Sequence, residues 1–70
     1  MIKFNLNGHE YIELNKLLKV LQLVESGGVA NTLITEGEVK LNGKIETQKR
    51  KKLVIGDKII FFEKTIVIVE

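Results

Sequence analysis

The sequence predicts an α+β fold in which two short helices pack on a small, twisted, mainly antiparallel sheet. An alternating stretch opens the chain, two segments with apolar residues at helical spacing follow, and alternation then returns until the end. Because 70 residues can enclose only one modest core, we expect residues 1–70 to form a single domain. The apolar fraction of 44% is ordinary for a globular domain, so disorder is not expected.

The first predicted strand spans residues 1–6, where Ile2, Phe4 and Leu6 alternate with polar side chains. Asn7–Gly8 is a turn signal, and a short extended piece at residues 11–12 leads to the first helix. We expect Tyr11 and the phenylalanines to pack in the core. An aromatic platform that stacks nucleic-acid bases is therefore not expected.

Two amphipathic helices are predicted next. The first runs from about residue 13 to residue 23, because leucines recur at positions 14, 17, 18 and 21. Lys16 and Lys19 fall on its water-facing side. Ser26 is a good N-cap for a second helix, whose buried side carries the apolar residues at positions 30, 33 and 34. Gly37 can end that helix, because glycine adopts the left-handed conformation without steric cost.

Beyond Gly37 the apolar period changes to two. Asn42–Gly43 is a strong signal for a two-residue hairpin turn, with strands through residues 39–41 and 45–47 on either side. A basic loop at residues 49–52 follows, and we expect the apolar trio Leu53–Ile55 behind it to be buried. A turn at Gly56–Asp57 and strands at residues 58–62 and 65–69 complete a sheet with about four strands after the helices.

Charge is distributed unevenly along the chain. The net charge is only +2, but residues 40–52 carry six cations against one acid, and the remaining residues carry a net charge of −3. A positive charge concentrated in one segment is typical of a surface that faces phosphates. The chain has no cysteine, no apolar run longer than four residues and no signal-like N-terminal stretch, so we expect a cytoplasmic protein without a membrane span.

Signatures of catalysis are missing from the sequence. His9 is the single histidine and lies beside Glu10 near a turn, so an acid–base pair or a metal site there lacks the necessary partners. Ser26 has no second histidine to activate it. The carboxylates at positions 25, 36, 38 and 46 are scattered, and no phosphate-binding P-loop motif is present. We therefore expect a non-catalytic protein without cofactor, metal ion or small-molecule substrate.

The run of four cations at residues 49–52 is the most informative feature. Adjacent cations repel one another unless a polyanion neutralises them, although a solvated loop that promotes solubility is the alternative interpretation. Ser26–Gly28 would offer free backbone N–H groups and the positive end of a helix dipole, which suits a phosphate. Asn42 and Lys44 at the predicted hairpin tip lie near this run in the sequence and would extend the same stripe.

Three segments together resemble the S-four RNA-binding domain, which is also called the alpha-L motif. They are Leu14-Asn15-x-x-Leu18, then Ser26-x-x-x-Ala30-x-x-Leu33-Ile34-x-x-Gly37-x-Val39-x-Leu41-Asn42-Gly43, then Gly56-Asp57-x-Ile59. The chain looks most like the short stand-alone bacterial members, in which Glu-Ser-Gly-Gly precedes the second helix and Glu-Thr plus a basic run follows the hairpin. Here these are residues 25–28 and 46–52.

The resemblance implies binding to structured RNA, with ribosomal or transfer RNA as candidates, through the helix pair and the adjoining loop. Family members often carry arginine after the serine and after the alanine, where this chain has Gly27 and Asn31, and their later arginine pair is here Gln48–Lys49. Binding is therefore expected to depend more on the lysines. The residues expected to contact RNA are Lys16, Lys19, Ser26, Gly27, Gly28, Asn31, Asn42, Lys44, Thr47, Gln48, Lys49, Arg50, Lys51 and Lys52.

Two other functions remain open at this point. The first is a protein-interaction module in a ribosome-associated or RNA-processing assembly, in which the basic run would meet an acidic protein surface. The second is a small enzyme, which would need a conspicuous pocket lined by converging polar groups.

Overall fold

The computed structural model describes residues 1–70 and confirms the α+β class. In chain order the elements are β1 (Ile2–Asn5), β2 (Ile12–Glu13), α1 (Leu14–Val20), α2 (Gly27–Thr35), β3 (Val39–Leu41), β4 (Lys44–Ile45), β5 (Lys52–Leu53), β6 (Lys58–Phe61) and β7 (Lys64–Val69). Neither helix has the length and apolar character needed to cross a membrane.

The strands form two sheets. The larger sheet has five strands in the order β1-β7-β6-β3-β4, and its pairs are antiparallel except for β1 and β7, which run parallel with Ile2 opposite Ile66. A parallel pair needs a long crossover connection, and here the rest of the chain supplies it. The smaller sheet pairs β2 with β5, so that Ile12 lies opposite Leu53 and Glu13 opposite Lys52. This ribbon joins the start of α1 to the end of the basic segment.

The core lies between the two helices and the larger sheet, and every fully buried residue is apolar. The predicted stripes of both helices are confirmed, because Leu14, Leu17 and Leu18 of α1 are buried beside Ala30 and Ile34 of α2. The sheets and the segment after β1 contribute the remainder, namely Leu6, Val39, Leu53, Ile59, Phe61, Ile66 and Ile68. Burial of these apolar side chains supplies most of the driving force for folding.

The predicted end of the first helix is wrong by three residues, because α1 stops at Val20. Gln22 has a φ of +59°, a left-handed conformation that ends a helix. The N–H of Gln22 donates to the Lys19 carbonyl and the N–H of Leu23 to the Leu18 carbonyl, which is the Schellman pattern. Leu23 is thereby turned back to pack against the core rather than continuing the helix.

The predicted burial of the segment after the basic run is wrong in part. Leu53 is fully buried, but Val54 is 47% exposed and Ile55 is 59% exposed. The ribbon formed by β2 and β5 is only two residues long, so the chain leaves it after Leu53 and turns at the surface. Lys52 was expected in a loop and instead belongs to β5, and the hairpin strand β4 ends at Ile45, before Thr47.

The predicted core position of the aromatic residues is also wrong for two of them. Phe61 is buried and Phe4 packs against the core, but Tyr11 is 40% exposed and Phe62 is 59% exposed. Tyr11 immediately precedes β2, where it lies on the outer face of the ribbon. Phe62 is the first residue of the turn between β6 and β7 and has a φ of +53°. Exposed aromatic surface is thus available on this protein.

Candidate functional site

The basic run, residues Lys49–Lys52, is anchored by its backbone on the start of α1. The N–H of Leu14 donates to the Lys51 carbonyl at 2.9 Å, and the N–H of Asn15 donates to the Lys49 carbonyl at 3.0 Å. Glu13, the N-cap residue, makes no side-chain cap, so these carbonyls satisfy N–H groups that a helix start leaves free. The run is therefore held firmly on the helix although its side chains take no part in the anchoring.

The basic run also contains a tight turn that exposes its cations. The N–H of Lys51 donates to the Gln48 carbonyl at 3.2 Å, and the N–H of Gln48 donates to a carboxylate oxygen of Glu46 at 3.1 Å. Lys49 and Arg50 occupy the tip of this turn and are exposed. No lysine or arginine side chain donates in any of the side-chain hydrogen bonds of the fold, which leaves these cations available to a ligand.

Asn15 joins the basic run to the second helix. Its backbone N–H bonds to Lys49, while its side-chain Nδ2 donates to Oδ1 of Asn31 at 2.9 Å in a partly buried position. Asn31 lies four residues after Gly27, and therefore on the same side of α2 as the start of that helix. The structure thus brings the basic run and Asn31 of α2 to either side of a single asparagine.

The two glycines at the start of α2 leave open space where side chains would project. Ser26 is the N-cap as predicted, and its Oγ accepts a hydrogen bond from the N–H of Val29 at 3.3 Å. A Cβ at Gly27 would meet nothing within 4 Å, and a Cβ at Gly28 would meet only the Ser26 hydroxyl at 3.8 Å. Neither glycine has a positive φ, so neither packing nor backbone conformation requires glycine here. The first N–H groups of a helix have no intrahelical acceptor, which leaves this surface open to an anion.

Four further predicted residues lie on α1 or directly before the basic run. Lys16 and Lys19 are exposed and three residues apart in α1, which places them on neighbouring parts of one helix face. Thr47 and Gln48 are exposed and lead directly into the basic run. Lys16 and Lys19 thus lie on the helix that holds the basic run, and Thr47 and Gln48 lie directly before it.

Asn42 has a role inside the fold. Its Oδ1 accepts from the N–H of Lys58 at 2.9 Å, and its Nδ2 donates to Oδ1 of Asp57 at 3.0 Å. The other carboxylate oxygen of Asp57 accepts from the N–H of Val54 at 2.9 Å. These bonds fix the hairpin tip to the turn at residues 55–57 and place an acid beside Asn42. Lys44 is exposed and follows this tip.

Sequence reasoning missed the anchoring role of Asn15 and the exposure of Tyr11. Residues 11 and 13 lie two apart in an extended segment, and the apolar Ile12 between them points the other way. That alternation was a signal that Tyr11 would face outward. No comparable signal exists for Asn15, because its partners Lys49 and Asn31 are distant in the sequence.

A helix pair followed by a β-hairpin is the arrangement that the resemblance to the alpha-L motif predicts. The chain belongs to the S4 domain family, whose profile matches residues 4–69. The predicted resemblance is therefore confirmed for nearly the whole chain.

Two bacterial relatives give this membership a finer context. YbcJ of Escherichia coli strain K12, which is provisionally named an RNA-binding protein, is 44% identical over 61 residues that cover 87% of each chain. RlbA of Bacillus subtilis strain 168, provisionally named a ribosome maturation protein, is 35% identical over 48 residues, or 69% of this chain and 68% of its own. The solution structure of E. coli YbcJ, described as revealing an alpha-L motif involved in RNA binding, matches with a TM-score of 0.76 at 40% identity. That match covers 100% of this chain and 89% of the YbcJ chain.

Proposed function

We propose that this protein is a non-catalytic, cytoplasmic RNA-binding protein, with residues 1–70 acting as one S4-type unit on structured RNA. The observation that carries the proposal is the pair of hydrogen bonds at Asn15, which join the backbone of the basic run to Asn31 of α2, the helix that starts at Gly27 and Gly28. Cations and free backbone N–H groups on one surface are the two kinds of donor that phosphates accept from most often.

The contacts are expected to be mainly with phosphate and sugar groups. Lysine presents a compact point charge rather than a planar fork, so a surface with three lysines and one arginine neutralises phosphates without selecting a base. Shape would then distinguish ligands, because the spacing of phosphates and the 2′-hydroxyl groups differ between RNA and DNA helices. The contact set we propose is the predicted one, with Asn42 acting by holding the hairpin tip.

The names of the relatives narrow the class of target. YbcJ is provisionally named for RNA binding and RlbA for ribosome maturation. Ribosomal RNA and transfer RNA are the abundant structured RNAs of a bacterial cytoplasm. We therefore place them first among the candidate ligands.

A titration by gel shift tests the proposed function. Hairpin RNA, duplex RNA and duplex DNA of one sequence are each titrated at two salt concentrations. We expect RNA to bind more tightly than DNA. In a plot of the logarithm of the association constant against the logarithm of the salt concentration, the slope should be about −0.9 for each phosphate contact that the protein makes to a duplex. Equal affinity for DNA and RNA, or no binding to either, would contradict structured-RNA recognition.

A second candidate function, protein binding, is favoured by one specific observation. The exposed ring of Phe62 borders a cleft of about 420 Å³ with Leu23, Phe61, Glu63 and Lys64. A bulky residue with positive φ is unusual in a two-residue turn, where glycine or asparagine is the ordinary choice. If the titration detects no nucleic acid, this surface and the basic run become the leading sites for a protein partner.

A further inference from the structure

A cleft beside the basic run has the features of a site for a single base. We propose that it receives one unpaired nucleobase carrying an exocyclic amino group, with guanine the best fit, while the basic run holds the adjoining phosphates. This inference rests on the proposed RNA binding. The remaining surface distinguishes RNA by its shape, and the cleft would add a subsite that distinguishes one base from another.

The ribbon formed by β2 and β5 sets the geometry of this cleft. Side chains alternate along a strand, and residues directly opposite in a pair share a face. Glu13 lies opposite Lys52, and Tyr11 lies two residues before Glu13, so these three side chains occupy one face. Ile12 and Leu53 form the other face, where Leu53 is fully buried in the core. The outer face of the ribbon therefore combines an aromatic ring, a carboxylate and an ammonium group.

Tyr11 connects the cleft to the basic run. The Nζ atom of Lys52 lies 4.9 Å from the centroid of the Tyr11 ring, which is within the range of a cation–π contact. Lys52 is also the last residue of the basic run, so one side chain borders both the phosphate-facing surface and the ring. An aromatic ring that is 40% exposed beside a line of cations is the arrangement on which unpaired bases stack.

The cleft has the size and lining for a base. Its volume is about 630 Å³, within the range of roughly 300–1,000 Å³ typical of small-ligand sites. It is lined by residues 4–13 together with Lys16 of the first helix. Phe4 and Tyr11 supply apolar surface, and the exposed His9 and Glu10 lie on the segment that leads into Tyr11.

The carboxylates of the cleft suit a base, while Lys16, which also lines it, can pair with an adjoining phosphate. Glu10 and Glu13 both line it, and a carboxylate accepts hydrogen bonds but repels a phosphate. The N2 amino group of guanine is a hydrogen-bond donor, as are the N6 group of adenine and the N4 group of cytosine, whereas uracil has no exocyclic amino group. Guanine also carries N1–H beside N2–H, so both oxygens of one carboxylate could accept from it. The cleft should thus prefer guanine and disfavour uracil.

Three hairpin RNAs that differ at one position test the proposal. The first carries a single bulged guanosine, the second a bulged uridine at the same place, and the third is fully paired. We expect wild-type protein to bind the bulged-guanosine hairpin about fivefold or more tightly than the other two. The fully paired hairpin has no base free to stack on Tyr11, and uridine has no exocyclic amino group to donate to a carboxylate. Equal binding of all three hairpins would overturn the subsite and leave the proposed function intact. Failure to bind any of them would overturn both.

Two variants and a matched control assign the discrimination to the cleft. Tyr11→Leu should abolish the preference for the bulged hairpin, whereas Tyr11→Phe, which keeps the ring, should retain it. Glu13→Gln should reduce the ratio of guanosine to uridine affinity, and since Glu13 makes no side-chain cap, α1 should still form. Each result is a ratio measured within one variant, so a partly unfolded preparation does not distort it. A preference for guanosine that survives both Tyr11→Leu and Glu13→Gln would contradict the assignment.

Discussion

The double variant Arg50→Glu with Lys51→Glu is expected to bind structured RNA about 10- to 100-fold more weakly than the wild-type protein at low salt. The affinity should also depend less on salt. Each lost phosphate contact should make the slope of the logarithm of the association constant against the logarithm of the salt concentration shallower by about one. The loss should be similar for RNAs of different sequence, because phosphate contacts carry no sequence information. Gel-shift titration over a range of salt concentrations measures both quantities.

This double variant should remain folded. The basic run is anchored on α1 through the carbonyl groups of Lys49 and Lys51, and side-chain changes do not remove those bonds. Lys3→Glu with Lys64→Glu is the matched control, since it makes the same change in net charge at exposed strand residues outside the basic run. If both double variants lost affinity equally, net charge rather than the basic run would govern binding. Unchanged binding in the first variant would defeat the assignment of the basic run.

Leu53→Ala is expected to lower the free energy of unfolding by about 2–5 kcal/mol. Leu53 is fully buried and follows the basic run directly, so a cavity there removes packing between the ribbon and the core. A domain of this length has a total stability of roughly 4–10 kcal/mol, so the variant should be close to unfolding at moderate temperature. Urea denaturation followed by far-UV circular dichroism measures the change.

Val54→Ala provides the control for this substitution at the adjacent position. Val54 is half-exposed at the surface, where most substitutions change stability by less than about 0.5 kcal/mol. The two variants therefore separate the buried residue from the exposed one within a segment that looks uniformly apolar in sequence. Similar losses in both variants would contradict the burial described for Leu53 and Val54.

Much of the fold follows from local patterns in the sequence. Helical spacing of leucines predicted the buried face of α1, and Ser26 and Gly37 predicted the limits of α2 because capping depends on the residues themselves. Asn42–Gly43 predicted a hairpin turn, and both residues have positive φ values of 52° and 89°. These features depend on short stretches of chain, which is why they could be read without tertiary information.

The errors arose where distant segments decide the outcome. Pairing of β2 with β5 determines that Lys52 is in a strand, that Tyr11 faces outward and that burial stops at Leu53. Periodicity alone cannot reveal a two-residue ribbon between segments about 40 residues apart. Gln22 in a left-handed conformation likewise ended α1 without a glycine to signal it.

The candidate site shows the same division. Charge clustering and family resemblance indicated the basic run, because four adjacent cations can be recognised directly in the sequence. The hydrogen bonds from Asn15 that connect the basic run to α2 became visible only in the folded structure. The sequence therefore identified the cations and the helix start as hydrogen-bond donors, and the structure shows how the basic run and α2 are connected.

An amide chemical-shift titration of the labelled wild-type protein with hairpin RNA tests most directly whether this surface acts as a unit. We expect the amides of Gly27, Gly28 and Asn31 to shift together with those of residues 47–52, along one binding curve, while the amides of β7 stay still. Shifts confined to the β6–β7 turn, or shifts in the basic run without any in α2, would contradict a single RNA-binding surface around Asn15.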